Sequence, residues 1–189
     1  MANKWILVFL IVLIPTIVLG GNPATSTDSG GILYGEDHYI LLTPPKGWVL
    51  DNQSGLSQGF HAVLYPQGSS WADSTVFMFV TVAHKKDEGV KTLEEMIQAD
   101  IKRMTAGGWK VLPQSSSIKT KEGKLALVRR YSDARTNAHE AVAYIDNGVT
   151  VSLLVLNALG ESKLKSAYSS FEEFVSNYSF LTDKVIIKK

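Results

Sequence analysis

Apolar and polar residues alternate along much of this chain with the period of two that is typical of β-strands. The pattern predicts strands over residues 38–43, 59–65 and 74–84, and four more strands in the second half of the chain. Residues 74–84 (STVFMFVTVAH) are rich in β-branched and aromatic side chains along their whole length. Such a segment is typical of a strand covered on both faces, so we predict that it is the central strand of the sheet.

Two segments instead repeat their apolar residues every three to four positions, as amphipathic helices do. The first begins at Thr92, because Thr92 and Glu95 have capping-box spacing, and it ends at Gly107 and Gly108. The second covers residues 161–177. The apolar stripe of the first helix is predicted to pack in the core, and it comprises Leu93, Met96, Ile97, Ile101 and Met104.

Turn signals separate the four later strands and predict an antiparallel meander. They fall at Glu122-Gly123, at residues 135–137 and at Asn147-Gly148. The last pair predicts a two-residue type I′ turn with positive φ at both residues, between strands 139–146 and 149–158. The fold class is therefore α+β, with an antiparallel sheet of about six to seven strands flanked by two main helices.

The N-terminal segment has the features of an export signal. Lys4 precedes an apolar run over residues 5–19, and small residues follow at Gly20 and Gly21. We expect residues 1–20 to be a cleaved signal peptide, so that the protein is periplasmic or secreted. The alternative is an uncleaved membrane anchor, although the run is short for a bilayer span of about 20 residues.

The remaining chain divides into three parts. Residues 21–31 are polar, small and rich in turn formers, which predicts a flexible linker. Residues 32–183 form a single domain. Residues 184–189 (KVIIKK) are a tail that forms either a last strand or a disordered end.

Composition and charge exclude several classes of protein. The chain has 189 residues, 45% of them hydrophobic and 20% charged, with no cysteine, which is typical of a globular domain without disulfides. Its formal net charge is +1, so the chain lacks the large excess of basic residues that would indicate nucleic-acid binding. Arg129 and Arg130 are adjacent in a predicted strand, so they face opposite sides of the sheet and cannot form one basic patch.

Between about residues 39 and 181 the chain carries, in order, the segments PPKGW, SSWADSTVFMFV, TLEEM, GKLALVRRY, HEAVAYID and FEEFVSNYSFL. Together they resemble the PsbP-like superfamily, which includes the extrinsic PsbP protein of photosystem II, the Ran-binding Mog protein and exported bacterial proteins, the last being the nearest match. The resemblance implies an antiparallel sheet flanked by helices that serves as a non-catalytic protein-binding scaffold. The resemblance does not assign to any residue of this chain a contact with Ran or with a photosystem.

Motifs for catalysis lack the structural context that their chemistry needs. Residues 55–59 match G-x-S-x-G, but a strand follows them rather than the helix of a nucleophile elbow. His139-Glu140 begins like a zinc-binding H-E-x-x-H helix, but position 143 is alanine and the segment alternates like a strand. We therefore predict no catalytic residue, no metal site and no cofactor.

Trp71 is the strongest candidate for a binding residue, because it lies with Asp73 in a polar loop over residues 68–74. One interpretation is a lid that packs over the core, and the other is a contact with a partner. We expect a monomer that docks on an envelope or secreted protein through a sheet face or this loop, without nucleic acid. It would contact a membrane only if the N-terminal segment stays uncleaved.

A second hypothesis is a small-ligand or metal-binding protein, or a hydrolase, whose polar groups meet only in three dimensions. It would bring His61 or His139 together with Asp73 or Glu140 in a cleft. The two histidines are therefore additional binding candidates.

Overall fold

The computed structural model describes residues 30–35, 37–60, 62–113 and 115–183. The predicted signal peptide, most of the predicted linker, His61 and the tail over residues 184–189 lie outside these residues. The strands are β1 Gly31–Gly35, β2 His38–Leu42, β3 Trp48–Asp51, β4 Val63–Pro66, β5 Val76–His84, β6 Lys110–Val111, β7 Ser116–Lys119, β8 Leu125–Asp133, β9 Ala138–Asp146, β10 Thr150–Leu159 and β11 Ser179–Thr182. The helices are α1 Leu93–Ala106 and α2 Glu161–Ser176.

The described strands form two antiparallel sheets. The larger has the order β3-β4-β5-β10-β9-β8-β6, and β7 also pairs with β8. The smaller has the order β1-β2-β11. The α+β class and the two flanking helices are confirmed, but the division into two sheets was not predicted. The predicted central position of β5 is wrong, because β10 occupies the middle of the larger sheet and β5 lies beside it.

The predicted meander is confirmed, since β7, β8, β9 and β10 pair in sequence with antiparallel register. The turn between β9 and β10 differs from the type I′ prediction. Gly148 has a positive φ of 89°, but Asn147 does not, because Asn137 is the only non-glycine residue with a positive φ among those described. The Asn147 backbone N–H donates to the Thr150 carbonyl at 2.9 Å, so Gly148 and Val149 are the two central residues. Glycine at the first central position is the pattern of a type II′ turn.

Helix α1 begins as predicted. The Thr92 hydroxyl accepts from the Glu95 backbone N–H at 3.1 Å, and the Glu95 carboxylate accepts from the Thr92 backbone N–H at 3.2 Å. This reciprocal pair satisfies two N–H groups that a helix start leaves without partners. Gly107 forms the C-cap.

The larger sheet is covered on both faces, so the domain has two hydrophobic cores. On one face α1 buries Met96 and Ile97 against β5, β8, β9 and β10. On the other face α2 buries Phe171 and Phe174, and Ile40 of the small sheet completes that core. Among the described residues no helix is long and apolar enough to cross a membrane.

Candidate functional site

Trp71 lies in the lid position over the core on the α1 side. Its ring is half-buried and makes edge-to-face contacts with Phe60, at 5.9 Å between ring centroids, and with Phe77, at 4.8 Å. Such aromatic pairs stabilise packing by about 0.5–1.5 kcal/mol beyond the area that they bury. The ring of Trp71 therefore closes the end of this core and anchors the loop over residues 68–74.

Asp73 is exposed and stabilises the same loop from within. Its carboxylate accepts from the Ser70 hydroxyl at 2.7 Å, and its backbone N–H donates to that hydroxyl at 3.3 Å. Side chains of this type commonly close short turns by bonding to nearby backbone groups. The loop thus has a defined conformation in which Asp73 is a structural residue.

His139 and Glu140 lie next to each other on β9 and face opposite sides of the larger sheet. His139 faces α2, and its Nδ1 atom is buried without a hydrogen-bond partner among the described residues. Glu140 faces the α1 side and accepts from the Asn157 amide at 2.7 Å. Burial raises the pKa of Glu140 to about 7, the hydrogen bond from Asn157 lowers it, and the charge of Asp100 raises it further. These two candidates therefore do not meet in one cleft.

A buried polar cluster under α1 was not anticipated. Asp100 is only 7% exposed and accepts hydrogen bonds from Tyr144, from Tyr131 at 3.4 Å and from Arg103 at 2.9 Å. The two tyrosine hydroxyls lie 2.8 Å apart, so the single proton of Tyr131 is shared between Tyr144 and Asp100. Burial raises the pKa of both phenols, so they stay protonated and donate at neutral pH. Because each group has a partner, the cluster fixes α1 on the sheet and presents no free nucleophile or base.

The sequence contained one signal for this cluster. Asp100 falls three residues after Ile97 and four after Met96, which places it on the apolar stripe of α1. A carboxylate at such a position requires buried donors.

Metal binding has no support in the described part of the chain. No three His, Asp or Glu side chains converge there as ligands. His84 is paired with Asp37 at 3.1 Å instead.

The small sheet exposes an apolar surface. Alternation along the strands turns Ile32, Tyr34, Tyr39 and Leu41 away from the core, and we call these four residues the outer face. Ile32 is 53% exposed and Tyr34 is 63% exposed. With Leu181 of β11, at 51%, they are three of the seven large hydrophobic side chains exposed among the described residues.

Cross-strand pairing orders the outer face. Ile32 lies opposite Leu41, and Tyr34 lies opposite Tyr39 with the two rings 6.4 Å apart. The inward residues of the same strands, Ile40 and Leu42, are fully buried, so the sheet is held rigidly from behind. The outer face is therefore a prearranged pair of tyrosines beside two aliphatic side chains.

Strand β1 also leaves one backbone edge unpaired within the described structure, because it bonds only to β2. Natural edge strands usually carry a lysine, a proline or a bulge that prevents pairing with another chain. The sequence of β1, GILYG, contains none of these residues, and its pairing with β2 is regular over all five residues. Within the described part of the chain, a backbone edge without such protection therefore adjoins the outer face.

Comparison with known proteins identifies the fold. No protein-family model and no curated protein sequence matches the chain. Cyanobacterial PsbP (CyanoP) from Synechocystis sp. PCC 6803 is similar with a TM-score of 0.55 and 14% identity, over 87% of this chain and 99% of that chain. The Ran-binding protein Mog1p of Saccharomyces cerevisiae is similar with a TM-score of 0.50 and 14% identity, over 80% of this chain and 94% of that chain. The chain has the PsbP/Mog1 fold, which confirms the predicted resemblance at the level of fold.

Proposed function

We propose that this protein is an exported, non-catalytic binding module that captures an extended segment of a partner protein on the outer face and along the edge of β1 that has no partner among the described residues. The observation that carries the proposal is the exposure of Tyr34 and Ile32 on an edge strand without protective residues. An apolar surface next to unpaired backbone groups matches the requirements of strand addition.

The chemistry of the surface defines the partner segment. A strand added to β1 would exchange backbone hydrogen bonds with it, which supplies affinity independent of sequence. Specificity would come from side chains at alternate positions of that strand, because these are the ones that reach the outer face. Tyr34 and Tyr39 combine large apolar rings with polar hydroxyls, which is the composition of energetic anchors in protein interfaces. The partner is thus an extended, largely apolar polypeptide segment.

Two further observations support a binding role in the cell envelope. The similar protein Mog1p is a Ran-binding protein, so this fold serves protein recognition in at least one case. The apolar run over residues 5–19 after Lys4 is typical of an export signal. The module would therefore meet its partner after export.

Site-specific photo-crosslinking tests the proposal in the cells that produce the protein. A photoreactive phenylalanine replaces Tyr34 in the full chain, and in a matched control it replaces Leu125, which is 54% exposed at the start of β8. We expect a discrete adduct with one other protein from position 34 and none from position 125, identified by mass spectrometry.

The identified partner then allows a quantitative test. Tyr34→Ser should weaken its binding by about 30-fold, the value for loss of an anchor worth about 2 kcal/mol, and Leu125→Ser should change it less than twofold. The proposal fails if position 34 crosslinks only within the same chain or to a second copy of it. It also fails if both variants weaken binding equally.

A further inference from the structure

Arg130 has an unusual environment on the α2 side of the larger sheet. It lies on β8 directly opposite Ala141 of β9, on the face that α2 covers. Its Nε and Nη2 atoms are both buried, and neither has a hydrogen-bond partner among the described residues. Unpaired buried donors on a charged group are costly, and native structures rarely leave them without an acceptor.

The two unpaired atoms lie on the same edge of the guanidinium group. An arginine presents these two N–H groups as a planar fork, whose spacing matches two oxygen atoms of a carboxylate or phosphate. The unsatisfied part of Arg130 is thus the edge suited to bidentate binding of an anion.

Two neighbouring residues, His139 and Lys165, add polar groups beside Arg130. His139 is a diagonal neighbour of Arg130 on the same face, and its buried Nδ1 is also unpaired within the described structure. Lys165 of α2 binds Glu161 at 2.9 Å, and this is the leading cause that lowers the pKa of Glu161. The charges of His139 and Arg130 lower it further, so a carboxylate in this region is favoured in its ionised form.

A cleft lies against this region. It has a volume of about 200 Å³ and is lined by Arg130, Leu164, Lys165 and Tyr168. The volume corresponds to several water molecules at about 30 Å³ each, which is enough for a small oxyanion. The Tyr168 hydroxyl, 3.4 Å from the Ser116 hydroxyl, supplies a neutral hydrogen-bonding group at the wall.

We infer that this cleft between α2 and the sheet binds an anionic group with oxygen acceptors, a carboxylate or a phosphate, through the guanidinium of Arg130. Lys165 contributes charge at the rim, and Tyr168 contributes a hydrogen bond. The cleft shares no residue with the outer face, so this site is independent of the proposed partner surface.

Strand β8 offers a matched control for the experiment. Arg129 has the same side chain one position earlier, and alternation places it on the α1 side of the sheet, where its Nη1 donates to the Val128 carbonyl at 3.1 Å. Inorganic phosphate and sodium acetate are titrated separately into the full chain, Arg130→Gln and Arg129→Gln by calorimetry. Sodium chloride keeps the ionic strength constant.

We expect one-to-one binding to the unmodified chain, weakened at least tenfold by Arg130→Gln and less than twofold by Arg129→Gln, as for loss of a charge-assisted hydrogen bond. Binding of phosphate alone assigns a phosphate-type ligand, and binding of acetate alone assigns a carboxylate. Absence of binding of both anions overturns the inference, and so does equal weakening by the two arginine variants.

A second variant keeps the test decisive if Arg130→Gln does not fold. The Lys165 side chain is largely exposed on α2, so Lys165→Gln should fold and should weaken anion binding by a measurable factor of two or more. Backbone amide resonances of residues 164–168 should shift on titration with the binding anion. Unchanged affinity in Lys165→Gln together with unchanged resonances overturns the inference.

Discussion

Replacing Glu140 by glutamine should make the protein more stable at neutral and alkaline pH. Burial raises the pKa of Glu140 from its ordinary value of 4.5 to about 7. The folded protein therefore holds the proton over a pH range in which the unfolded chain releases it. Because the folded state binds more protons than the unfolded state in this range, the free energy of unfolding falls as pH rises from about 4.5 to about 7. Above pH 7 the free energy of unfolding no longer depends on the titration of Glu140.

The expected magnitude follows from the size of the pKa change. One pKa unit corresponds to about 1.4 kcal/mol, so the full effect at pH 8 is about 3 kcal/mol. Glutamine has nearly the same shape, stays neutral at every pH and keeps an oxygen that can accept from Asn157. Glu140→Gln should therefore match the unmodified protein near pH 4.5 and exceed its stability by up to about 3 kcal/mol at pH 8.

Urea denaturation followed by circular dichroism at intervals from pH 4.5 to 8.5 measures this difference. Glu172 is exposed on α2, and Glu172→Gln provides the same chemical change away from the core. The stability curve of that control should run parallel to that of the unmodified protein. A Glu140→Gln curve that is also parallel would refute the reasoning, because the burial of Glu140 would then carry no proton linkage.

Two further substitutions test separate parts of the fold. Tyr144→Phe removes a donor to Asp100 and should cost about 1.5–3 kcal/mol in urea denaturation at pH 7, and a cost below about 0.5 kcal/mol would contradict the role of the buried cluster. Gly148→Ala places a Cβ where no atom lies within 4 Å, so any cost comes from its φ of 89° alone. Thermal unfolding should show a loss of about 1–2 kcal/mol, and an unchanged midpoint would rule out a strained turn.

Elements with local signals were predictable from the sequence. Helix α1 has its cap, its apolar stripe and its terminating glycine within sixteen successive residues, Thr92 to Gly107. The meander has a turn signal at every reversal, so neighbouring strands pair with neighbouring strands. The sequence also placed Arg129 and Arg130 on opposite faces, because alternation in a strand is a local rule.

Features that join distant parts of the chain were not predictable in this way. The small sheet pairs Leu41 with Ser179, and no turn or motif near either residue indicates the other. The burial of Asp100 depends on tyrosines from β8 and β9, and the cleft at Arg130 depends on where α2 lies over β8. In each case tertiary packing assigns a role that the local pattern leaves undetermined.

The order of strands in the small sheet has a consequence for the timing of folding. Strand β2 lies between β1, the first described strand, and β11, the last. Chains are synthesised from the N-terminus, and a contact between distant segments requires closure of a long loop. The small sheet can therefore be completed only after the chain has been made as far as β11. A chain truncated after α2 would lack the strand that pairs with β2, so the outer face is fully supported only once β11 has been made.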